Sequence, residues 1–203
     1  MTTKIETLKD ALSHRHSHYA IRPEWVAPRE AVEDLLGHVL QNIPSAFNSQ
    51  PVRMVLLTGE AHTAHWELIE KALIGFMGQE KYEANTAPKV RQAFASGVGT
   101  ILFFDVPSVT EGLQASFPAY AANFPLWAQQ TQGSHQYAVW MGLDVLGFGV
   151  NLQHYIGMID DEIKTLAGVD PSWVLTAQMP FGAPAEEVSA KEKLSLAETL
   201  IVK

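Results

Sequence analysis

Apolar residues recur at intervals of three and four through much of the chain, and a few short, continuously apolar stretches interrupt those runs. The first pattern predicts amphipathic helices and the second predicts buried strands. Ile5, Leu8 and Leu12 make residues 3–13 a short amphipathic helix. The clearest helix covers residues 28–43, where Val32, Leu35, Leu36, Val39, Leu40 and Ile43 form one stripe. Pro28 suits its first turn, Glu30, Glu33 and Asp34 complement its N-terminal dipole, and Pro44 ends it. Helical spacing returns over 60–77, about 88–95 and about 126–146. In the last of these Ala138, Val139, Gly142, Val145 and Leu146 form a small-residue face that lets a second backbone approach. Asp160-Asp161-Glu162 open a further helix, closed by Gly168.

The strand patterns lie at 53–58, 98–106, 147–155 and 173–182. The second is apolar on both faces and is expected at the centre of a sheet. Residues 44–51 read as a loop of small and amide side chains. Residues 107–125 have no clear period and read as a mobile lid or as short helices over a pocket. Four strands separated by long helices predict an α+β sandwich, with residues 1–203 as a single domain. The C-terminal stretch begins with Lys191-Glu192-Lys193 and ends in Leu194, Leu196, Leu200, Ile201 and Val202. Little of its own domain is left for it to pack on, which points to a partner subunit.

Composition narrows the function classes. The chain has 203 residues, 47% hydrophobic and 18% charged, with a formal charge of −8. Nucleic acid and anionic membrane surfaces are therefore poor partners, and any bound anion needs a local pocket that overrides the overall field. The absence of cysteine excludes disulfides, thiolate metal sites, iron–sulfur clusters and thiol nucleophiles. The polar first residues carry no signal-peptide pattern, and no apolar run approaches the ~20 residues of a membrane span. A cytoplasmic protein is expected.

Candidate chemistry concentrates in Ser13-His14-Arg15-His16-Ser17-His18-Tyr19. Arg15 offers a planar fork and Ser17 a hydroxyl, which suit a phosphate or belong to a solvated turn. His14, His16 and His18 alternate, so on extended backbone they share a face and invite a metal, although no acidic ligand is nearby in sequence. Gly147-x-Gly149 enters a strand and lacks a third glycine, so the dinucleotide fingerprint is not met, and no phosphate-binding P-loop pattern occurs. Ser45 and Ser49 have no nucleophile elbow around them. Asn48 and Gln50 suit either the edge of a heteroaromatic ring or plain turn chemistry.

Five motifs stand in a telling order: Arg15-His16-Ser17, residues 44–51 (Pro-Ser-Ala-Phe-Asn-Ser-Gln-Pro), residues 147–155 (Gly-Phe-Gly-Val-Asn-Leu-Gln-His-Tyr), Met179-Pro180-Phe181-Gly182 and Lys191-Glu192-Lys193. In that order the chain resembles FMN-dependent nitroreductases over nearly its whole length. It is most similar to the short branch containing yeast and lactic-acid-bacterial nitroreductase-like proteins. The resemblance implies a central, mainly antiparallel sheet flanked by helices, with the C-terminal tail exchanged between the subunits of a homodimer. It implies two FMN molecules at the subunit interface. By position, Arg15 and Ser17 would bind the phosphate and ribityl chain, with His16 and Tyr19 beside them. Ser45, Ala46, Phe47, Asn48 and Gln50 would lie along the ring or ribityl, partly from the other subunit. Gln153 and His154 would meet the N5/O4 edge through backbone groups, and Lys191 and Lys193 would complete the phosphate cage. Two positions depart from the family pattern, which often has a basic residue at Tyr19 and arginine at Lys193.

The implied activity is electron transfer from NAD(P)H to nitroaromatic or quinone acceptors by a ping-pong cycle. The flavin carries the chemistry, so no catalytic side chain and no metal are expected. Phe117, Tyr120 and Phe124 are candidates for an acceptor-facing lid. The rival readings are a flavin-binding regulatory or stress-response protein with low reductase activity, and a metal-dependent hydrolase built on the alternating histidines.

Overall fold

The fold is organised by strand β3 (Gly99–Asp105), whose side chains are apolar on both sides. Ile101 and Phe103 enter one core and Leu102 and Phe104 the other, and all four are fully buried. Successive side chains of a strand point to opposite faces, so such a strand needs a helical layer on each side. Burying one such phenylalanine side chain stabilises the fold by about 1.5–3 kcal/mol.

The computed structural model describes residues 3–189 and 191–203. β3 lies between β2 (Val52–Thr58) and β5 (Val174–Pro184). β5 also pairs with β1 (Ile21–Arg22) and β4 (Gly149–Val150), and every pairing is antiparallel. One face is covered by α3 (Glu60–Met77), α4 (Gln79–Asn85), α5 (Ala87–Ala93) and α8 (Asp160–Ala167), which bring Trp66, Ile69, Tyr82, Val90 and Ile163 into the core. The other is covered by α2 (Arg29–Asn42) and α7 (Phe124–Val145), through Val32, Leu36, Val39, Val139 and Leu143. The architecture is the expected α+β arrangement of an antiparallel sheet between helices.

Two terminal elements stand apart from this core. α1 (Lys4–His14) is closed by a Thr3–Glu6 capping box but buries no residue, leaving Ile5, Leu8 and Leu12 exposed. The short α9 (Leu196–Thr199) and its neighbours leave Leu194, Leu196, Leu200, Ile201 and Val202 exposed.

The structure revises several predicted elements. The strand expected over 147–155 is only Gly149–Val150, entered through Gly147 at φ +93°. Past it, the buried side-chain amide of Asn151 donates to His18 O (2.8 Å) and Ala93 O (3.0 Å), tying this segment to neighbouring chain. The Asn151 N–H still donates to Pro180 O (3.3 Å), and regular pairing returns only as a Gln153–Gln178 bridge. α4 buries Tyr82 alone, too little to give a period, and β1 is too short to show alternation. Residues 107–125 resolve into the short-helix alternative, with α6 (Pro107–Ser116) and a 3-10 turn at Pro118–Tyr120. At Gly182 a Cβ would overlap the Arg22 carbonyl, so the glycine of Met-Pro-Phe-Gly permits β1 to lie against β5.

Candidate functional site

α1 delivers the chain to residues 15–19, which run beside β4. His18 N donates to Val150 O (2.9 Å), and the Asn151 amide takes His18 O, so this backbone is pinned from both sides. His14, His16 and His18 line one cavity of about 960 Å³ together with Asp10, Asp144 and Glu186. Arg15 turns elsewhere. Its guanidinium carbon sits 4.6 Å from the centroid of Trp140 and 5.9 Å from that of Tyr137. Arg15 Nε is buried with no hydrogen-bond partner, Trp140 Nε1 is in the same condition, and Arg15 enters no ion pair among the described residues. A guanidinium held on an aromatic face with an unmet donor suits an anionic acceptor.

Two of the three histidines are committed otherwise, whereas the buried His18 Nδ1 has no hydrogen-bond partner. His14 Nδ1 donates to the buried Asp144 Oδ2 (2.8 Å), and His16 Nδ1 donates to His14 O (2.6 Å). Burial holds the His18 imidazole below its ordinary pKa, with His16 and His14 adding to the effect and Asp144 opposing it. No group of three or more His, Asp or Glu side chains able to hold a metal ion occurs among the described residues.

Asn151 joins this stretch to the next. Gln153 Nε2 donates to Asn151 Oδ1 (2.9 Å), and the Gln153 N–H and C=O are both taken by Gln178 (2.7 and 2.9 Å). Successive N–H groups of extended backbone alternate in direction. The N–H of the exposed His154 therefore points away from β5 and is the one left in this pair to donate to a ligand.

The Ser45–Gln50 loop is held in a costly conformation. Phe47, Asn48 and Gln50 have φ of +57°, +51° and +50° without being glycine. Such backbone costs of order 1–3 kcal/mol per residue and persists where the surroundings impose it. Ser45 Oγ accepts from Gln50 N (2.9 Å), and Arg53 Nη1 donates to Gln50 O (2.9 Å). The Phe47 ring lies 4.9 Å from Phe117, 5.4 Å from Phe124 and 6.2 Å from Trp127, which ties the loop to α7 and the turn before it. Ser45, Ala46 and Phe47 line a cavity of about 420 Å³ with Trp127 and Thr131. Phe117 and Tyr120 are exposed beside it, whereas Phe124 is buried and belongs to the core instead of a lid surface.

A family model described as the nitroreductase family matches residues 12–183. The chain belongs to the nitroreductase family. HBN1 of Saccharomyces cerevisiae is 37% identical over 185 residues, 89% of this chain and 90% of that protein. The nitroreductase CinD of Lactococcus lactis, solved with chloramphenicol, is 33% identical. It superposes with a TM-score of 0.87 over 97% of this chain and 99% of its own. The FMN-dependent nitroreductase NfnB of Mycobacterium smegmatis, solved with NADPH, has a TM-score of 0.76 over 99% of this chain and 100% of that one. At 14% identity it shows the fold alone. The activity class is that of an oxidoreductase, and no helix among the described residues is long and apolar enough to cross a membrane.

In this nitroreductase chain the predicted residues are partly gathered. The 15–19 and 151–154 stretches meet through Asn151. No hydrogen bond or ion pair among the described residues joins Lys191 or Lys193 to them, and both lysines are exposed. Three further residues pack against the 15–19 stretch. Trp140 and Tyr137 are three apart on α7, a spacing that puts them on one face and offered a signal. Lys89, whose Nζ lies 5.3 Å from the centroid of Tyr19, offered none. A cation thus stands over the position where the family often has a basic residue.

Proposed function

We propose that the chain is a homodimeric, FMN-dependent oxidoreductase with one nitroreductase-like domain over residues 1–203, acting in the cytoplasm. The observation that carries this reading is Arg15, a buried guanidinium nitrogen without an acceptor in an acidic protein. An FMN phosphate fits it, bringing roughly −1.5 to −2 charge. Arg15 would bind that phosphate from its seat on Trp140, with Ser17 as hydroxyl donor and Lys191 and Lys193 adding charge from the tail. The His154 N–H would donate to the ring edge, and the Ser45–Gln50 loop would lie along the ring or ribityl of the partner's site. The chemistry supplied when FMN is bound is electron uptake from NAD(P)H and release to a nitroaromatic or quinone acceptor in a ping-pong cycle. Phe47, Phe117 and Tyr120 offer an aromatic surface suited to such acceptors. The exposed apolar faces of α1 and the tail are the surfaces we assign to the partner subunit, with the tail exchanged.

The test is to reconstitute the protein with FMN and follow its visible absorption and its steady-state turnover with NADH and NADPH. Arg15→Ala is expected to lower FMN affinity at least tenfold with the fold intact by circular dichroism. Unchanged affinity would remove the phosphate assignment. Tight FMN binding with negligible turnover would assign the chain to a flavin-binding regulatory role instead.

A further inference from the structure

A cavity of about 350 Å³ lies away from these residues, between the end of β3, α6 and the start of α7. Its floor is a fixed polar triad. Gln132 is buried, and its Nε2 donates to Phe104 O (3.0 Å) and approaches Asp105 Oδ1 (3.4 Å). Thr176 Oγ1 lies 3.0 Å from Phe103 O and 3.2 Å from Gln132 Oε1. Near the mouth, Gln114 Nε2 is spent on Ala121 O (2.9 Å). The donors of Gln132, Thr176 and Gln114 are thus spent within the protein, Thr110 and Gln129 add polar groups to the lining, and Asp105 and Glu111 are its only charged residues.

Those carboxylates have no counter-charge. Neither enters an ion pair among the described residues, and no lysine, arginine or histidine among them lines the cavity. Asp105 is half-buried, and that burial pushes its carboxyl above the ordinary carboxylate range. A desolvated carboxylate is stabilised by a proton or by a cation brought close to it. The remaining walls are the polar Thr110 and Gln129 and the apolar Pro107, Pro125, Ala128 and Val174. The volume is at the small end for ligand pockets, which run from about 300 to 1,000 Å³.

We infer that this cavity binds a small organic ammonium ion, its charged head between Asp105 and Glu111 and its apolar body against Pro107, Pro125 and Val174. The inference does not rest on the flavin reading, because none of these residues belongs to the proposed flavin site. Bound there, the ligand would bridge α6 to α7.

Isothermal titration of the FMN-loaded protein at neutral pH with phenethylamine, 2-phenylethanol and 3-phenylpropionate tests it. These probes share an aromatic body and differ in the charge of the head. Phenethylamine is expected to bind at least tenfold more tightly than either counterpart. Asp105→Asn is expected to weaken it about tenfold, and Glu111→Gln, on an exposed side chain whose loss does not threaten folding, severalfold. Equal binding of the neutral or anionic probe would overturn the assignment. So would parental phenethylamine affinity in both variants, or no binding at millimolar concentration.

Discussion

Replacing His65 with leucine should stabilise the protein, and do so most at acid pH. His65 is fully buried on α3, neither ring nitrogen has a partner, and the imidazole lies edge-on to Trp66 with centroids 5.1 Å apart. An unsatisfied buried polar group costs about 1–3 kcal/mol. A volume-conserving swap in a packed core costs less than about 1.5 kcal/mol, so the neutral-pH effect is a small net gain. Burial, with His62 adding, pushes the His65 pKa from its ordinary 6.5 down to about 3. Below pH 6.5 the unfolded chain therefore takes up a proton that the folded chain refuses, and stability falls as pH drops toward about 3. At pH 5, about 1.5 pH units under the ordinary value, the loss is about 2 kcal/mol. For a chain of this size that is about 4–8 °C in melting temperature. Thermal melts of parent and His65→Leu at fixed FMN, from pH 7.5 to 5, should show the gap widening by that amount. A residual slope is expected in the variant, because burial also lowers the pKa of His62. Parallel loss of stability in both proteins would mean that His65 is protonated in the folded state, and the reasoning would be refuted.

Further predictions concern the frame and the proposed site. Gly182→Ala should cost about 1–3 kcal/mol in urea unfolding, because its Cβ would overlap the Arg22 carbonyl and lever β1 off β5. Lys89→Met removes a cation–π contact with Tyr19 worth only about 0.5–1 kcal/mol at an exposed position. Its melting temperature should barely move while FMN fluorescence reports faster release; unchanged release would place Lys89 outside the site. Lys193→Arg should tighten FMN binding and flatten its salt dependence, since a guanidinium grips phosphate with a fork where an ammonium acts as a point charge. Affinities that follow the same salt slope would take Lys193 out of the phosphate cage.

Elements that bury a regular face are legible in the sequence. β3 announced its central place by the unbroken apolar run Ile101-Leu102-Phe103-Phe104, and α2 buries Val32, Leu36 and Val39 from the stripe its spacing draws. The local pattern fails where a side chain from elsewhere decides the backbone. Asn151, just past the two-residue β4, spends its side-chain amide on His18 and Ala93, contacts that alternation cannot register. The positive φ at Phe47 has no glycine to announce it. It persists because the ring is anchored among Phe117, Phe124 and Trp127, aromatic pairs worth about 0.5–1.5 kcal/mol each that offset the strain. Arg15 was visible as a motif residue, yet its seat on Trp140 and Tyr137 comes from a helix more than a hundred residues later.

The same separation explains why one chain leaves its proposed site open. Arg15 has an unmet buried donor, Lys191 and Lys193 are exposed, and the strained 45–50 loop has no hydrogen bond to the 15–19 stretch among the described residues. α1 and the tail meanwhile present Ile5, Leu8, Leu12, Leu196, Ile201 and Val202 to water. Each such side chain, if covered, would contribute about 1.5–3 kcal/mol. A second copy covering α1 and receiving the tail would gain that burial, and the same event could carry the two lysines and the loop toward a partner's Arg15. On this reading assembly and cofactor binding are linked, since ligand held only by the complete site stabilises the dimer by mass action. Removing FMN by dialysis should then lower both the melting temperature and the dimer fraction seen by light scattering at low protein concentration. A dimer fraction indifferent to FMN would separate the two events and place the phosphate site within one chain.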